Sequence, residues 1–427
     1  MSRSSSEETK APPRLAWLDL LRGVAALVVA LHHVTYYFTP RLRANMVDLV
    51  DPGLYGVLVF FLVSGYIIPA SLERHGRVRG FWISRLTRIY PLLLLVCAVT
   101  VLPSLLGVRG LRAGLGTYEP VTAVLAHLTM LQDVLAVPNV IGVLWTLSYE
   151  MLFYLLVVAL FVTGTHRRSA SIAVSLAVAA VLVGGLLPMA ALSRTVGVWQ
   201  IVTLSALVMA AAITGAVSSH PVVRTVGGIA GGVLALVLVV VNGRVGPWQG
   251  LVILAVMFTG TALYRAEHGQ IPWRRALVTA GLVLTGAIVA GLRHAAVGMW
   301  PWQAKEFQVY WTGSVLLAAL TFAVGWALRR RHIPRWLTTL GTISFSLYLL
   351  HPVLLMVNDQ LLGRPDHDDA LRVVLFLPVL VAVSLLTYRY VELPFQRLGR
   401  RLNRRTDARP ARPAVPARTG ALEAVTE

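Results

Sequence analysis

Arg22 and His33 lie on one apolar stretch, RLAWLDLLRGVAALVVALHHVTYYF, which runs from Arg14 to Phe38. An α-helix turns 100° per residue, so the eleven-residue step between them brings both side chains onto nearly one face, about 16 Å apart along the axis. His32 points roughly 80° away from that face, and Asp19 lies one turn before Arg22. Ionisable groups inside a bilayer are costly unless they face a cavity or a partner, so each of them is a candidate for function.

Four further stretches carry groups of this kind. FWISRLTRIYPLLLL, Phe81 to Leu95, places Arg85 and Arg88 three residues apart, hence on one side of a helix. They are either anchors of the positive-inside type or a pair of guanidinium groups for bidentate bonds to a phosphate-bearing ligand. LWTLSYEMLFYLL holds Glu150 well inside an apolar run, where it either locks helices by pairing with Arg22 or the first-span histidines, or orients a histidine. FFLVSGYII puts Ser64 and Gly65 together. They either let two helices approach closely or let a ligand pass along the Gly65 backbone while Ser64 or Tyr66 donates a hydrogen bond. ISFSLYLLHPVLL places Tyr348 on an apolar helix and His351 just before Pro352, where a lone histidine is either a hydrogen-bonded structural group or a base. A metal site is excluded on spacing: His32 and His33 are adjacent and diverge on a helix, and no His-x-x-x-His or carboxylate pair supplies a third ligand.

The elements that must position these groups are membrane helices. Of 427 residues, 56% are hydrophobic and 13% charged, too few charges to cover so much apolar surface in water. The pattern predicts an all-α polytopic membrane protein, a bundle of about 10–12 spans. The candidate spans are 15–38, 54–72, 90–107, 141–163, 170–192, 199–217, 225–241, 248–265, 276–292, 308–328, 340–357 and 371–390. The first is too long for a signal-peptide core and no small-residue cleavage site follows, so it is expected to stay as a span. Residues 1–13 read as a disordered lead, 14–402 as the transmembrane domain and 403–427, rich in Arg, Pro and Ala, as a disordered tail.

The net charge of +19 comes from arginine clusters in alternate loops and the tail, a positive-inside bias that points to lipid rather than nucleic acid and places both termini in the cytoplasm. Residues 108–140 are too long for a turn yet apolar in TAVLAHLTMLQDVL, which suits an interfacial or re-entrant helix over a cavity mouth. Trp199, Trp248, Trp300 and Trp302 fall at predicted outer ends, as an aromatic belt or as a lid that stacks on substrate, and the belt is the favoured reading. Glu392 and the arginines after it, in YRYVELPFQRLGRR, read as an inner-surface anchor.

Taken in order, LDLLRGVAALVVALHH, FFLVSGY, SRLTRIYP, LWTLSYEMLFY, FSLYLLHP and the terminal VELPF resemble the acyltransferase family 3 proteins, bacterial integral-membrane acyltransferases that modify surface sugars and macrolides. The resemblance covers the first half and last fifth of the chain; 165–335 match only in being hydrophobic. The family's Arg, ten residues, then His corresponds to Arg22 and His33, and its RxxR to Arg85 and Arg88; His32 stands where an aromatic residue is usual.

The resemblance implies a multi-pass protein of the bacterial cytoplasmic membrane that moves an acyl group, commonly acetyl, from cytoplasmic acyl-CoA to a hydroxyl of a glycan or macrolide-type acceptor. It implies no tightly bound cofactor. On this reading His33 is the general base, with Arg22 and Glu150 beside it, and Glu150 or Asp19 either holds the imidazole or balances Arg22. Arg85, Arg88, Arg22, Ser64 and Tyr66 are expected to hold the CoA, and His32, Trp145, Tyr348 and His351 the acceptor. A proton-coupled secondary transporter is the competing reading, since about twelve spans with buried Arg, Glu and His suit one too.

Overall fold

The computed structural model describes residues 15–45, 49–107, 114–294 and 299–407; the proposed lead at 1–13 and the tail from 408 onward lie outside them. The described residues are helical, with no strand among them, and 12 of the helices are long and apolar enough to cross a membrane. This is an all-α polytopic membrane protein. In hydrocarbon every backbone polar group must be bonded within its own segment, and the long runs of Leu, Val and Ala leave the helix as the only means.

The chain starts with α1 (Ala16–Phe38), a short α2 (Pro40–Asn45), α3 (Pro52–His75) and α4 (Val78–Leu105). Asp51 caps α3 by accepting from Leu54 N at 2.8 Å with Pro52 at the first helical position, and Gly76 closes it in the left-handed region at φ 64. Helix α4 begins twelve residues before the expected span at 90, so Arg85 and Arg88 sit on a continuous helix.

A short helix, α5 (Pro120–Leu128), follows, and then a stretch of 3₁₀ turns that brings Gln132, Asp133, Val134 and Leu135 into the core. The expected helix over the cavity mouth is thus a short helix and a buried polar loop, in which Asp133 accepts from Asn139 and Arg244.

The middle of the chain is α6 (Trp145–Val162), α7 (Ser169–Val183), α8 (Ala191–Val196), α9 (Val198–Val217), α10 (Pro221–Val241), α11 (Pro247–Glu267), α12 (Trp273–His294) and α13 (Pro301–Ala327). The expected span at 170–192 ends early, at Val183, where Gly184 and Gly185 follow and Pro188 comes soon after. Helix α10 turns Gly227, Gly228, Gly231 and Gly232 inward against α9 and α6, the small-residue packing that holds helices together where lipid removes the hydrophobic drive. Helix α11 is buried along almost its whole length, with α3, α7 and α12 around it. Trp248 is inside the bundle against Trp311, ring centroids 4.8 Å apart, while Trp199, Trp300 and Trp302 remain exposed; of the four belt residues only these three face outward.

The chain ends with α14 (Arg335–Thr342), α15 (Ser344–Leu362), α16 (Ala370–Thr387), a π-helical turn over Tyr388–Glu392 and α17 (Leu393–Asp407). The tail boundary expected at 402 moves: α17 runs through Asp407 and lies along α4, with Asn403 donating to Gly80 O at 3.2 Å. At the opposite end of the bundle, Asp368 accepts from Arg41 N and Leu42 N, and Asp369 N donates to Phe38 O at 2.8 Å. The acidic loop before α16 is thereby tied to the end of α1.

Candidate active site

Five helices, α1, α3, α4, α6 and α15, surround a narrow polar cavity. Along α3 it is lined from Val57 to Ile68, eleven residues or about 16 Å of helix rise. Arg22 enters from α1, Ser64 from α3, Arg85 and Arg88 from α4, Thr146 and Glu150 from α6, and Ser344 and Tyr348 from α15. Two helices, α1 and α4, thus aim three guanidinium groups at one space.

No hydrogen bond or ion pair to Arg22, Arg85 or Arg88 occurs among the described residues. Arg85 is 8% exposed, its Cζ lies 5.3 Å from the Phe81 ring centroid and 5.5 Å from that of Tyr154, and its Nε is buried without a hydrogen-bonding partner. The carboxylates act at longer range: Arg22 feels Asp19, Glu150 and Glu392, and is repelled by Arg88. Buried cations are ordinarily paired at contact distance. Here they are left able to bind something else, and an anion with several oxygens is the chemistry that matches three such forks.

Glu150 accepts from the Tyr154 hydroxyl, one turn further along α6, and makes no bond to a histidine. Of the two roles expected for it, the geometry offers charge balance for Arg22. Glu392 was expected at the inner surface. Instead it is 2% exposed, accepts a hydrogen bond from Ser346 and lies within electrostatic reach of Arg22 and Arg88. The extra residue of the π-turn Tyr388–Glu392 rotates it inward, a device that recurs at functional sites.

Ser64 and Tyr66 part company. Ser64 lines the cavity, whereas Tyr66 faces the other side of α3, where its hydroxyl donates to Glu267, its ring stands edge-on to Trp17 and Tyr264, and Glu267 in turn accepts from Arg329 at 3.1 Å. Tyr66, expected to hold the donor, thus lies in a separate polar cluster and not on the cavity wall. Leu58 and Leu62, also on that side, line a wider apolar cavity with Phe322 and Trp326. Gly65 meets the backbone of Met257 on α11, so its smallness serves helix packing and not the cavity.

Behind Tyr348 lie the histidines. The Tyr348 hydroxyl bonds to Thr146 Oγ1 at 3.1 Å and to Val143 O at 3.2 Å; its ring is edge-on to Phe60, 5.6 Å away, and 6.0 Å from the ring of His351. His351 is fully buried, with Nδ1 3.1 Å from Leu347 O and Nε2 3.2 Å from Nδ1 of His33. His33 Nδ1 also lies 2.9 Å from Val29 O. Neither ring lines the cavity itself: Tyr348 and Phe60 stand between.

His32 points elsewhere, with Nε2 3.6 Å from Asp51 Oδ1 and its ring edge-on to Tyr36. Trp145 is half-buried and packs on Phe61 and Tyr149, one layer outside the cavity wall. Thr146 on the cavity wall and Glu392 near it are polar residues that sequence reasoning did not assign to the site, and of these only Glu392 carried a signal, an acid just before Pro394 at the end of an apolar run.

The model of an acyltransferase domain matches residues 15–389. Among curated relatives, the chain is 27% identical over 154 residues to Acyltransferase MdmB of Streptomyces mycarofaciens, covering 34% of this chain and 39% of that protein. It is 30% identical over 184 residues to Nodulation protein 10 of Rhizobium leguminosarum bv. viciae, 37% of this chain and 48% of that one. It is 27% identical over 173 residues to the Putative peptidoglycan O-acetyltransferase YrhL of Bacillus subtilis, 36% of this chain and 26% of the relative. The matched segments thus span between about a quarter and about a half of these relatives. No solved structure matches. With the domain match running through every helix that lines the cavity, the chain belongs to the acyltransferase 3 family of membrane proteins.

Proposed function

We propose that the protein is a membrane O-acyltransferase that takes an acyl group from acyl-CoA at the arginine end of the cavity and delivers it to an acceptor hydroxyl near His33. The observation that carries this reading is the set of three guanidinium groups, without a hydrogen-bonding or ion-pair partner among the described residues, that line one cavity with Tyr348, whose ring stands 6.0 Å from that of His351 in the histidine pair. Arg85, Arg88 and Arg22 suit the CoA phosphates, and the distance from Arg22 to His33, about 16 Å along α1, suits the extended pantetheine arm that carries the thioester.

The chemistry is then acyl transfer by general base catalysis. His33 takes the proton of the acceptor hydroxyl as its oxygen attacks the thioester carbonyl; the carbon–sulfur bond breaks, and the departing CoA thiolate recovers the proton from His33. Ser64, half-buried at mid-cavity, is placed to hydrogen-bond the arm, and Tyr348 with Phe60 must turn aside for the thioester to pass.

The positive-inside distribution puts the arginine end at the cytoplasm, where acyl-CoA is made, and the site of action at a bacterial cytoplasmic membrane. One relative is named for peptidoglycan O-acetylation, which supports a glycan hydroxyl as the proposed acceptor, with a hydroxyl of a macrolide-type metabolite as the other acceptor the sequence resemblance implies. The test uses membranes containing the full chain and radiolabelled acetyl-CoA. Wild type is expected to release CoA and label an acceptor or, slowly, water, while His33→Ala inserts normally and does neither. Full transfer by His33→Ala, or proton-dependent solute uptake without CoA release, would overturn the proposal.

A further inference from the structure

His351 was expected from sequence to meet the acceptor; the hydrogen bonds around it assign a different task. Its Nδ1 lies 3.1 Å from the carbonyl oxygen of Leu347, one turn earlier on α15. A carbonyl only accepts, so this nitrogen carries the ring proton, and in the neutral ring Nε2 is left with a lone pair. That lone pair faces His33 Nδ1 at 3.2 Å. Two lone pairs at that separation repel, so His33 Nδ1 carries a proton as well, shared with Val29 O at 2.9 Å. The unprotonated, basic nitrogen of His33 is then Nε2, on the side of the ring away from His351.

We infer that His351 is a positioning residue: beside Val29 O it gives the Nδ1–H of His33 a second acceptor, which reinforces the tautomer that leaves Nε2 as the nitrogen accepting the proton. The inference rests on His33 being the base. When Nε2 takes the acceptor's proton, the new imidazolium keeps its Nδ1–H between two acceptors, Val29 O and His351 Nε2, and both bonds strengthen as the donor gains charge. The gain exists only once charge has developed, so it falls on kcat and leaves ground-state binding alone. A neutral imidazole here does the orienting work that a carboxylate does elsewhere. Glu150, the carboxylate expected for that task, is occupied by Tyr154.

The test compares His351→Leu, which fills the space without an acceptor, with His351→Gln, whose carboxamide oxygen reaches the place of Nε2. His351→Leu is expected to lower kcat about 10- to 100-fold with KM for acetyl-CoA unchanged, the loss of one charge-assisted hydrogen bond, and His351→Gln to restore most of it. Full kcat in His351→Leu, a loss confined to KM for the acceptor, or no rescue by Gln in protein of equal thermal stability would overturn the inference. If His351→Leu does not fold, the wild type decides: in ¹⁵N-histidine-labelled protein, with the His33 signals assigned through His33→Asn, a coupling across the hydrogen bond between His33 Nδ1 and His351 Nε2 supports the assignment, and its absence or a proton on His33 Nε2 overturns it. A His33→Ala variant that stays active overturns the base itself. A dead His33→Ala beside an unimpaired His351→Leu overturns only the role given to His351.

Discussion

Adding one methyl group at Gly65 distinguishes what the SGY segment does. An alanine Cβ at this position would fall onto the carbonyl carbon and oxygen of Met257, in the backbone of α11, far inside contact distance. Backbone cannot rotate away as a flexible side chain would, and α11 is packed along nearly its whole length, so α3 must move by roughly an ångström or more to reach ordinary contact. Overpacking of this kind costs about 1–3 kcal/mol. The same displacement moves Ser64 and Phe60 on the cavity side of α3, and a misplacement of about 1 Å at a reacting centre is worth roughly 100-fold in rate. Gly65→Ala is therefore expected to lower the melting temperature in detergent by several degrees and kcat by about 10- to 100-fold. The assay is acetyl transfer in membranes together with thermal melting of purified protein, with Ser64→Ala, which removes a cavity hydroxyl and adds no backbone contact, as the control. A Gly65→Ala protein as stable as wild type that loses only affinity for acetyl-CoA would refute this, because it would place the ligand, not α11, beside Gly65.

Other perturbations separate the groups around the cavity. Arg85→Ala and Arg88→Ala are each expected to raise KM for acetyl-CoA by about 10- to 100-fold, the worth of a charge-assisted hydrogen bond, and to change kcat less; steady-state kinetics with an unchanged KM would exclude them from donor binding. Glu392→Gln keeps a partner for Ser346 but deletes a charge near Arg22 and Arg88, and is expected to destabilise the protein by about 3 kcal/mol in a denaturation assay, as removal of one member of a buried charge set does. No change would return Glu392 to the surface. Tyr66→Phe loses the bond to Glu267, and is expected to cost about 1 kcal/mol of stability while KM and kcat stay at wild-type values; a raised KM would bring Tyr66 back to the cavity.

The helices were legible because length and hydropathy suffice for them: a bilayer leaves no other way to bond the backbone, and apolar runs of about twenty residues mark where it is bonded. Arg22, Arg85, Arg88, Ser64, Glu150 and Tyr348, spread over five helices, line one cavity. Periodicity places Arg22 and His33 on one face of α1 and Arg85 beside Arg88 on α4, but it is silent on which helices are neighbours. The pairing of His33 with His351, 318 residues later, depends on α1 and α15 lying side by side, and no local pattern encodes that.

Glu392 shows the other limit. On an uninterrupted α-helix from Ala370 its direction follows from 100° per residue, but the π-turn at Tyr388–Glu392 adds a residue and resets the phase, so an acid that reads as surface on a helical wheel turns to the core. Tyr66 fails the same kind of reading for a different reason: it is two residues from Ser64, about 200° around α3, so the two could never have shared one face. The wheel alone would have separated them. What it could not supply was the partner, Glu267 on α11, that makes the far face of α3 polar enough to hold a buried phenol.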